Sequence, residues 1–343
     1  MSPQQRNHHG IGKYSQSRSS HPEKSLDQQH QPAYQQTAEP FPPPFSFSLL
    51  HPKHWPTWLI MGIWFCISQL PYRWQLALGK KLGHLLLKTG GRRVAISKTN
   101  IERCLPELSP QEHQALLTKS FEAAAIGLLE VGIGWWLPRR RFNRLISVEG
   151  LQHLEAARET GRGTLLITGH FTPMEIAARM VGQTAPCRLL YRKNNNAIFE
   201  WVSSRRRAHY VTEMVAHKQI KHFLNTLAAG DIAIYLTDQH YGTKHSVMAP
   251  FFGIETATIK KTAEYATASN AIVMPVQYGR KADNSGYFIK FYPALDDFPH
   301  DDEKTNATIT NDWVEKFARE IPEQYFWQHR RFKSVGPGVE KFY

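Results

Sequence analysis

The sequence predicts an α/β protein, a mostly parallel sheet flanked by helices, preceded by a membrane-associated helical region at the N-terminal side. Three features lead there. From about residue 145, short runs of apolar and β-branched residues alternate with stretches of helical periodicity. Residues 76–134 read as helical almost throughout. Between Lys53 and Arg73 the chain carries no formal charge, and residues 57–70 are strongly apolar, with Trp55, Trp58, Trp64 and Tyr72 among or beside them.

The alternating region places strands at 165–168, 187–191, 232–237, 271–277 and 287–292. Helices are expected at 151–159, 173–181, 197–208, 218–229, 258–269 and 307–319. Strands separated by helices of this length imply a largely parallel sheet covered on both faces. Upstream, Gly90-Gly91 and Pro106 break the helical pattern, and Ser109-Pro110-x-Glu112 supplies an N-cap and a first-turn proline for the next helix.

Residues 1–47 are rich in Gln, Ser, His and Pro and cannot bury enough apolar surface to offset the entropy of ordering, so they read as a disordered polar tail. They lack the charged start and apolar core of a cleavable signal peptide. Residues 48–72 form a membrane-anchoring apolar segment. At about 1.5 Å per residue its apolar core falls short of the roughly 30 Å hydrocarbon thickness, whereas the full uncharged stretch comes close. A single-pass span and a monotopic, interfacial helix therefore both fit. The positive charges that follow, Arg73, Lys80, Lys81, Lys88, Arg92 and Arg93, would keep the downstream side in the cytoplasm. Residues 73–343 make up the remaining domain. In it, Trp135-Trp136-Leu137-Pro138 precedes Arg139, Arg140 and Arg141, a combination suited to an anionic interface.

The 343 residues include 42 Lys or Arg against 29 Asp or Glu, a formal charge of +13. Such a balance favours an anionic partner: nucleic acid, acidic headgroups or an acidic carrier protein. The charge is clustered at Lys80-Lys81, Arg92-Arg93, 139–141, 205–207 and Arg330-Arg331, although each cluster taken singly also reads as a solvated face. Cys66, Cys104 and Cys187 lie far apart, which gives neither a disulfide framework nor a zinc knuckle and fits a reducing compartment. The histidines show no metal-ligand spacing. No dinucleotide fingerprint, P-loop or nucleophile elbow is present, and no internal repeat.

The candidate chemistry sits in residues 164–180, TLLITGHFTPMEIAARM. A strand ends at Gly169 and hands over to a helix with Thr172 as cap, Pro173 at the first position and Glu175 three residues after the cap. His170 lies at the handover. A His just before the cap is free to fold back on Glu175, and a carboxylate holding Nδ1–H leaves Nε2 able to take a proton from a hydroxyl. The same residues also form a plain capping box, with His170 an ordinary strand-end residue. Spacing alone leaves both readings open. Ligands in open sheets of this kind bind beyond the carboxyl ends of strands, and His170, Arg192 and Asp238 each directly follow a predicted strand, which brings them to one edge.

His170-Phe-Thr-Pro-Met-Glu175, Tyr191-Arg192, Asp238 with Tyr241-Gly242, Ser246-Val247, Pro250-Phe251-Phe252-Gly253, and Glu323-Gln324-Tyr325-x-Trp327-x-His329-Arg330-Arg331-Phe332-Lys333 resemble the bacterial lipid A biosynthesis acyltransferases. The resemblance extends upstream through Leu49-Leu50-His51-Pro52-Lys53, Thr57-Trp58-Leu59 and Leu105-Pro106-Glu107, from about residue 48 onward, and is closest to the late-acting lauroyl branch. It implies a glycerol-3-phosphate acyltransferase-like fold over residues 73–343, within the lysophospholipid acyltransferase-like superfamily. It implies an enzyme of the cytoplasmic face of the inner membrane. That enzyme would move a lauroyl or similar chain from acyl carrier protein to a hydroxyl of a Kdo-modified lipid A precursor of the Kdo2-lipid IVA type, in lipopolysaccharide biosynthesis. No metal or nucleotide cofactor and no nucleic acid partner is implied.

On this resemblance His170 is the general base and Glu175 orients it, Arg192 holds a phosphate of the acceptor, and Asp238 supports Arg192. Arg330 and Arg331, or the clusters at 139–141 and 205–207, would dock the acidic carrier or the phosphorylated lipid. Two departures stand out: the long tail is extra, and Asp238-Gln239-His240 stands where relatives tend to carry Asp-x-Asp. The nearer alternative is an acyltransferase for lysophospholipid or glycerol phosphate. The farther one is a non-catalytic basic protein binding membrane or nucleic acid.

Overall fold

The computed structural model describes residues 40–343, and within them the alternating region builds a seven-stranded sheet in the order β1-β9-β8-β2-β5-β3-β4. Its strands are β1 (Ile146–Glu149), β2 (Thr164–Thr168), β3 (Cys187–Tyr191), β4 (Glu213–Ala216), β5 (Ile232–Leu236), β8 (Ile272–Arg280) and β9 (Tyr287–Phe291). All neighbours pair in parallel except β8 with β9. A separate antiparallel hairpin joins β6 (Ser246–Phe251) to β7 (Ile254–Ile259). Its two-residue connection uses left-handed backbone at Phe252 (φ 51°) and Gly253 (φ 70°), the signature of a tight hairpin whose twist matches its strands.

The sheet is apolar on both faces because helices cover both. All five residues of β2 are buried. Leu165 and Ile167 belong to the core under α9 (Ile220–Ala228) and α10 (Lys261–Ser269), while Leu166 joins the larger core on the opposite face. That larger core takes in Ile176 and Val181 of α7 (Met174–Thr184) and Val314 and Phe317 of α11 (Glu303–Glu320). Burying a side chain of this size contributes about 1.5–3 kcal/mol. The five predicted strands and six predicted helices of this region are present, including α6 (Leu151–Glu159) and α8 (Ala197–Arg207). The sequence reading missed β1, β4 and the β6–β7 hairpin. Two of these are four-residue strands of mixed polarity, and the hairpin carries Pro250 and alternates Thr with small residues. The helix expected from residue 258 begins at Lys261, because Thr258 and Ile259 finish β7.

The helical region comprises α1 (Trp55–Gln69), α2 (Tyr72–Thr89), α3 (Gly91–Cys104), α4 (Pro110–Trp136) and the short α5 (Arg139–Asn143). Ser109 and Glu112 form the expected capping box at the start of α4, with Pro110 in its first turn. Helix α2 lies close along α4: a Cβ at Gly83 would stand 2.5 Å from the Cα of Glu122.

The single-pass alternative is not realised. Helix α1 has 15 residues, about 22 Å at 1.5 Å per residue, and among the described residues no helix is long and apolar enough to cross a membrane. Leu70 and Pro71 end it, and Arg141 Nη2 donates to Gln69 O at its last turn (3.1 Å). Helix α1 instead packs one side on α4 and α8 through an aromatic cluster, with Trp64 5.6 Å from Trp135 and Trp58 5.9 Å from Trp201 between ring centres. Its other side exposes Trp55, Leu59, Ile60, Ile63 and Phe65. Most of the predicted polar tail lies outside the described residues, but its last part is ordered, with Phe45 packed 5.5 Å from Trp201.

Candidate active site

Strand register assembles the site. Thr168 of β2 lies opposite Leu236 of β5 in a parallel pair. The pairing continues one step past both strands through Thr237 N–H to Thr168 O (3.0 Å). Two residues past each strand stand His170 and Asp238, and the carboxylate takes the histidine twice. Asp238 Oδ2 accepts the backbone N–H of His170 at 2.9 Å, and Oδ1 lies 2.5 Å from Nδ1. Asp238 is buried, whereas the His170 side chain keeps 18% of its surface open. Burial by itself would raise the Asp238 carboxyl; the charge of His170 and these hydrogen bonds outweigh it and pull the group down to about 2. Asp238 is thus a carboxylate at working pH, and Nδ1 of His170 is the nitrogen it holds.

The turn carrying His170 is tied down on every side. Tyr278 of β8 donates its hydroxyl to Gly169 O (3.0 Å) and accepts the N–H of Phe171 (3.3 Å). The segment 324–326 runs beside it: Phe326 N–H donates to His170 O and Thr172 N–H to Gln324 O, both at 2.9 Å. Gly169 is required by proximity, since a Cβ there would come within 2.6 Å of Val314. The loop after Asp238 is held by the same distant segment, because the backbone N–H of His240 donates to His329 Nε2 (3.2 Å). Asn100 of α3 in turn donates to Trp327 O (2.7 Å) and His329 O (2.9 Å). Burial pushes the His329 imidazole down to about 4, against the pull of Asp238, so it is neutral and able to accept.

The expected contact between Glu175 and His170 is not formed. Helix α7 begins at Met174 without a side-chain cap, and Thr172 Oγ1 accepts from Arg280 Nη2 (3.2 Å) rather than capping the helix. Glu175 is buried on the far side of the turn, beside Gly134 of α4, where a Cβ would lie 2.8 Å from its Cγ. Arg207 grips it with Nε to Oε1 (2.9 Å) and Nη2 to Oε2 (2.5 Å), and the Tyr210 hydroxyl donates to Oε1. Burial opposes ionisation of Glu175, yet the charge of Arg207 and these donors hold its carboxyl below the usual range. Arg179, one turn along α7, donates to Gly134 O (2.9 Å) and closes the C-terminal end of α4. A second buried ion pair, Arg280 Nη1 to Glu130 Oε1 (2.6 Å), fastens α4 to β8.

Arg192 follows β3, the strand next to β5, so His170, Asp238 and Arg192 stand at the carboxyl ends of adjacent parallel strands as expected. Arg192 is exposed. Arg330 is half-buried and sits over the Tyr343 ring at 4.9 Å. Arg331 does not fit the docking role. It is 2% exposed, Nη1 and Nη2 bond inward to Ala257 O and Thr258 Oγ1, each at 2.7 Å, and the guanidinium lies over the Phe251 ring. Of the cluster at 205–207, Arg207 is spent on Glu175, whereas Arg205 is exposed. Among the described residues no group of three or more His, Cys, Asp or Glu is placed to hold a metal.

Sequence reasoning missed Asp238 as the partner of His170 and Arg207 as the partner of Glu175. A signal existed for the first: both residues stand at the same offset past parallel strands, which places them side by side once the strands are neighbours. None existed for the second, since α8 meets α7 only through tertiary packing.

A histidine held at Nδ1 by a buried carboxylate, at the carboxyl edge of a parallel sheet, can act as a base toward a hydroxyl. The family model for bacterial lipid A biosynthesis acyltransferases matches residues 42–334. The chain belongs to this family. It is an acyltransferase of lipid A biosynthesis, and its relatives span its described length. The lipid A biosynthesis lauroyltransferase of Escherichia coli (strain K12) is 38% identical over 302 residues, 88% of this chain and 99% of the relative. The lipid A biosynthesis palmitoleoyltransferase of the same strain is 34% identical over 87% of this chain and 98% of its own. The myristoyltransferase of that strain is 26% identical over 86% and 92%. A solved 1-acyl-sn-glycerophosphate acyltransferase from Thermotoga maritima overlays with a TM-score of 0.37 at 13% identity, covering 74% of this chain and 98% of its own, a likeness too loose to bear on this member of the family.

Proposed function

We propose that this acyltransferase moves a lauroyl or similar chain from the thioester of acyl carrier protein to a hydroxyl of a Kdo-modified lipid A precursor, with His170 as general base. The observation that carries the reading is the 2.5 Å contact of Asp238 with His170 Nδ1 in a chain of this family. Nε2 takes the proton as the acceptor oxygen attacks the thioester carbonyl. The tetrahedral adduct then collapses, the C–S bond breaks, and the imidazolium returns its proton to the departing thiolate. Asp238 stabilises the imidazolium between the two events.

In this reading Glu175 is a positioning residue rather than the partner of the base. With Arg207 it fixes the start of α7, and through it the turn that presents His170. Arg192, exposed at the same edge, would hold a phosphate of the acceptor, and Arg330 would add charge for the carrier or the lipid. The exposed apolar side of α1 would rest in the cytoplasmic face of the inner membrane as an interfacial helix, which needs no span. The lauroyl assignment follows the 38% identical relative. Pocket depth, which sets chain choice, discriminates one methylene by only about 1–3 kcal/mol.

The deciding experiment is mass spectrometry of lipid A from cells lacking this protein and from cells regaining it. The lauroyl-type secondary chain should vanish and return with wild type but not with His170→Ala. Return of that chain with a folded His170→Ala protein would refute the mechanism, and an unchanged lipid A profile in the deletion would refute the substrate.

A further inference from the structure

Away from the His170–Asp238 pair, a concavity of about 180 Å3 opens at the elbow where α1 passes to α2. Leu70, Leu137 and Leu145 give it apolar walls, and Arg141 and Arg144 line it as well. Gln75, also in the wall, is 3% exposed. Its Nε2 ties the elbow together by donating to Ser68 O (3.2 Å) and Leu70 O (3.0 Å), but its buried Oε1 has no partner. An unsatisfied buried acceptor costs about 1–3 kcal/mol, so a donor that reached Oε1 from the cleft would be favoured.

Charge accumulates on the same elbow without compensation. Arg139, Arg140, Arg141 and Arg144 are all exposed, and none forms an ion pair with a carboxylate among the described residues. Arg141 spends one nitrogen on the end of α1. On the two helices that meet at the elbow, Phe65 and Trp74 are 46% and 58% exposed. One small region thus offers cations, an apolar cleft with an orphan acceptor, and bare aromatic surface.

We propose that this elbow binds the headgroup of an anionic phospholipid that carries free hydroxyls. The phosphate sits at Arg141 and Arg144, the acyl chains run outward over Phe65 and Trp74, and the hydroxylated arm enters the cleft and donates to Gln75 Oε1. A headgroup ending in a quaternary ammonium would bring a cation to four arginines and has no donor for Gln75. Phosphatidic acid offers the charge but no arm to fill the cleft.

The test uses dihexanoyl phosphatidylglycerol, which is soluble, titrated calorimetrically into the purified full chain in neutral detergent. It should bind saturably and at least tenfold more tightly than dihexanoyl phosphatidylcholine or dihexanoyl phosphatidic acid. Arg144→Gln, a surface change, should weaken it at least tenfold, and Leu145→Trp, which fills the cleft, should abolish it. Gln75→Leu should reduce phosphatidylglycerol binding to the level of phosphatidic acid. Acyl transfer in detergent by Arg144→Gln should be unchanged. Equal binding of the three lipids to wild type, or wild-type affinity in Arg144→Gln, would overturn the proposal. So would a higher KM of Arg144→Gln for the lipid acceptor, which would make the elbow part of the acceptor site. Because the probe is monomeric, a negative result leaves the interfacial placement of α1 standing.

Discussion

Asp238 holds His170 by backbone and ring at once, so one carboxylate sets both the position and the tautomer of the base. His170→Ala should cost about 10²–10⁴-fold in kcat. Asp238→Asn should cost at least about 10²-fold while KM changes little, because the amide cannot stabilise the imidazolium. An Asp238→Asn enzyme of near-normal kcat, measured with acyl carrier protein thioester, would remove the carboxylate from the mechanism. Glu175 makes a different prediction. Glu175→Gln leaves Arg207 partly unpaired in a buried place, and breaking such a pair typically costs about 3–5 kcal/mol. Denaturant unfolding should therefore show the loss in stability, whereas Asp238→Asn should show its main loss in turnover. Acid should act through the neighbours of the base. The folded-state pKa of His329 is about 4 against an ordinary 6.5, so the unfolded chain binds the proton more readily and stability falls as pH drops from about 6.5 toward 4. Asp238, depressed to about 2 from 3.8, adds a second loss as pH falls through that lower range. Unfolding free energies measured across pH should show both, and His329→Gln should flatten only the first.

At the scale of elements, α4 is the surface on which the site is built. Its glycines let the turn and α7 approach: Gly127 faces the Thr172 carbonyl, with a Cβ there only 2.8 Å away, and Gly134 faces Glu175. Gly134→Val should force Glu175 off Arg207 and lower kcat and stability together, whereas the same change at exposed Gly62, where a Cβ meets nothing within 4 Å, should cost neither turnover nor much stability. A comparison of kcat and melting temperature for the two variants checks this. Much of this level was legible beforehand. Strand and helix periodicity found β2, β3, β5, β8 and β9, and the offset of His170, Arg192 and Asp238 past their strands placed them at one edge. The identity of the carboxylate at His170 was not legible from local spacing, because sequence separation favours Glu175, five residues away, while strand register favours Asp238, sixty-eight residues away. Thr172 and Glu175 satisfied every local rule for a capping box, and tertiary partners, Arg280 and Arg207, overrode it.

For the molecule as a whole, the exposed aromatic and aliphatic side of α1 is the feature that a folded chain in water has least reason to keep. Patches of this kind mark an interaction surface. Leu59→Glu with Ile63→Glu should release the protein from vesicles of inner-membrane composition and leave its melting temperature within about 2–4 °C of wild type. Retention on vesicles would show that other residues carry the attachment. The aromatic cluster between α1, α4 and α8 was not foreseeable from periodicity. The sequence suits the tryptophans of α1 to a membrane interface, but two of the three, Trp58 and Trp64, pack instead against Trp135, Trp136 and Trp201.

The segment 324–329 clamps both the turn of His170 and the loop after Asp238, and it is joined to them across more than eighty residues of chain. Synthesis therefore completes the sheet well before it completes the site. A chain interrupted after α11 would have every strand and the Asp238–His170 pair, but would lack the backbone bonds that residues 324–329 make to the turn of His170 and to the loop after Asp238. The last part of the site to be made is thus the strap that fixes the backbone on both sides of the base, so the order of synthesis runs from scaffold to base to brace.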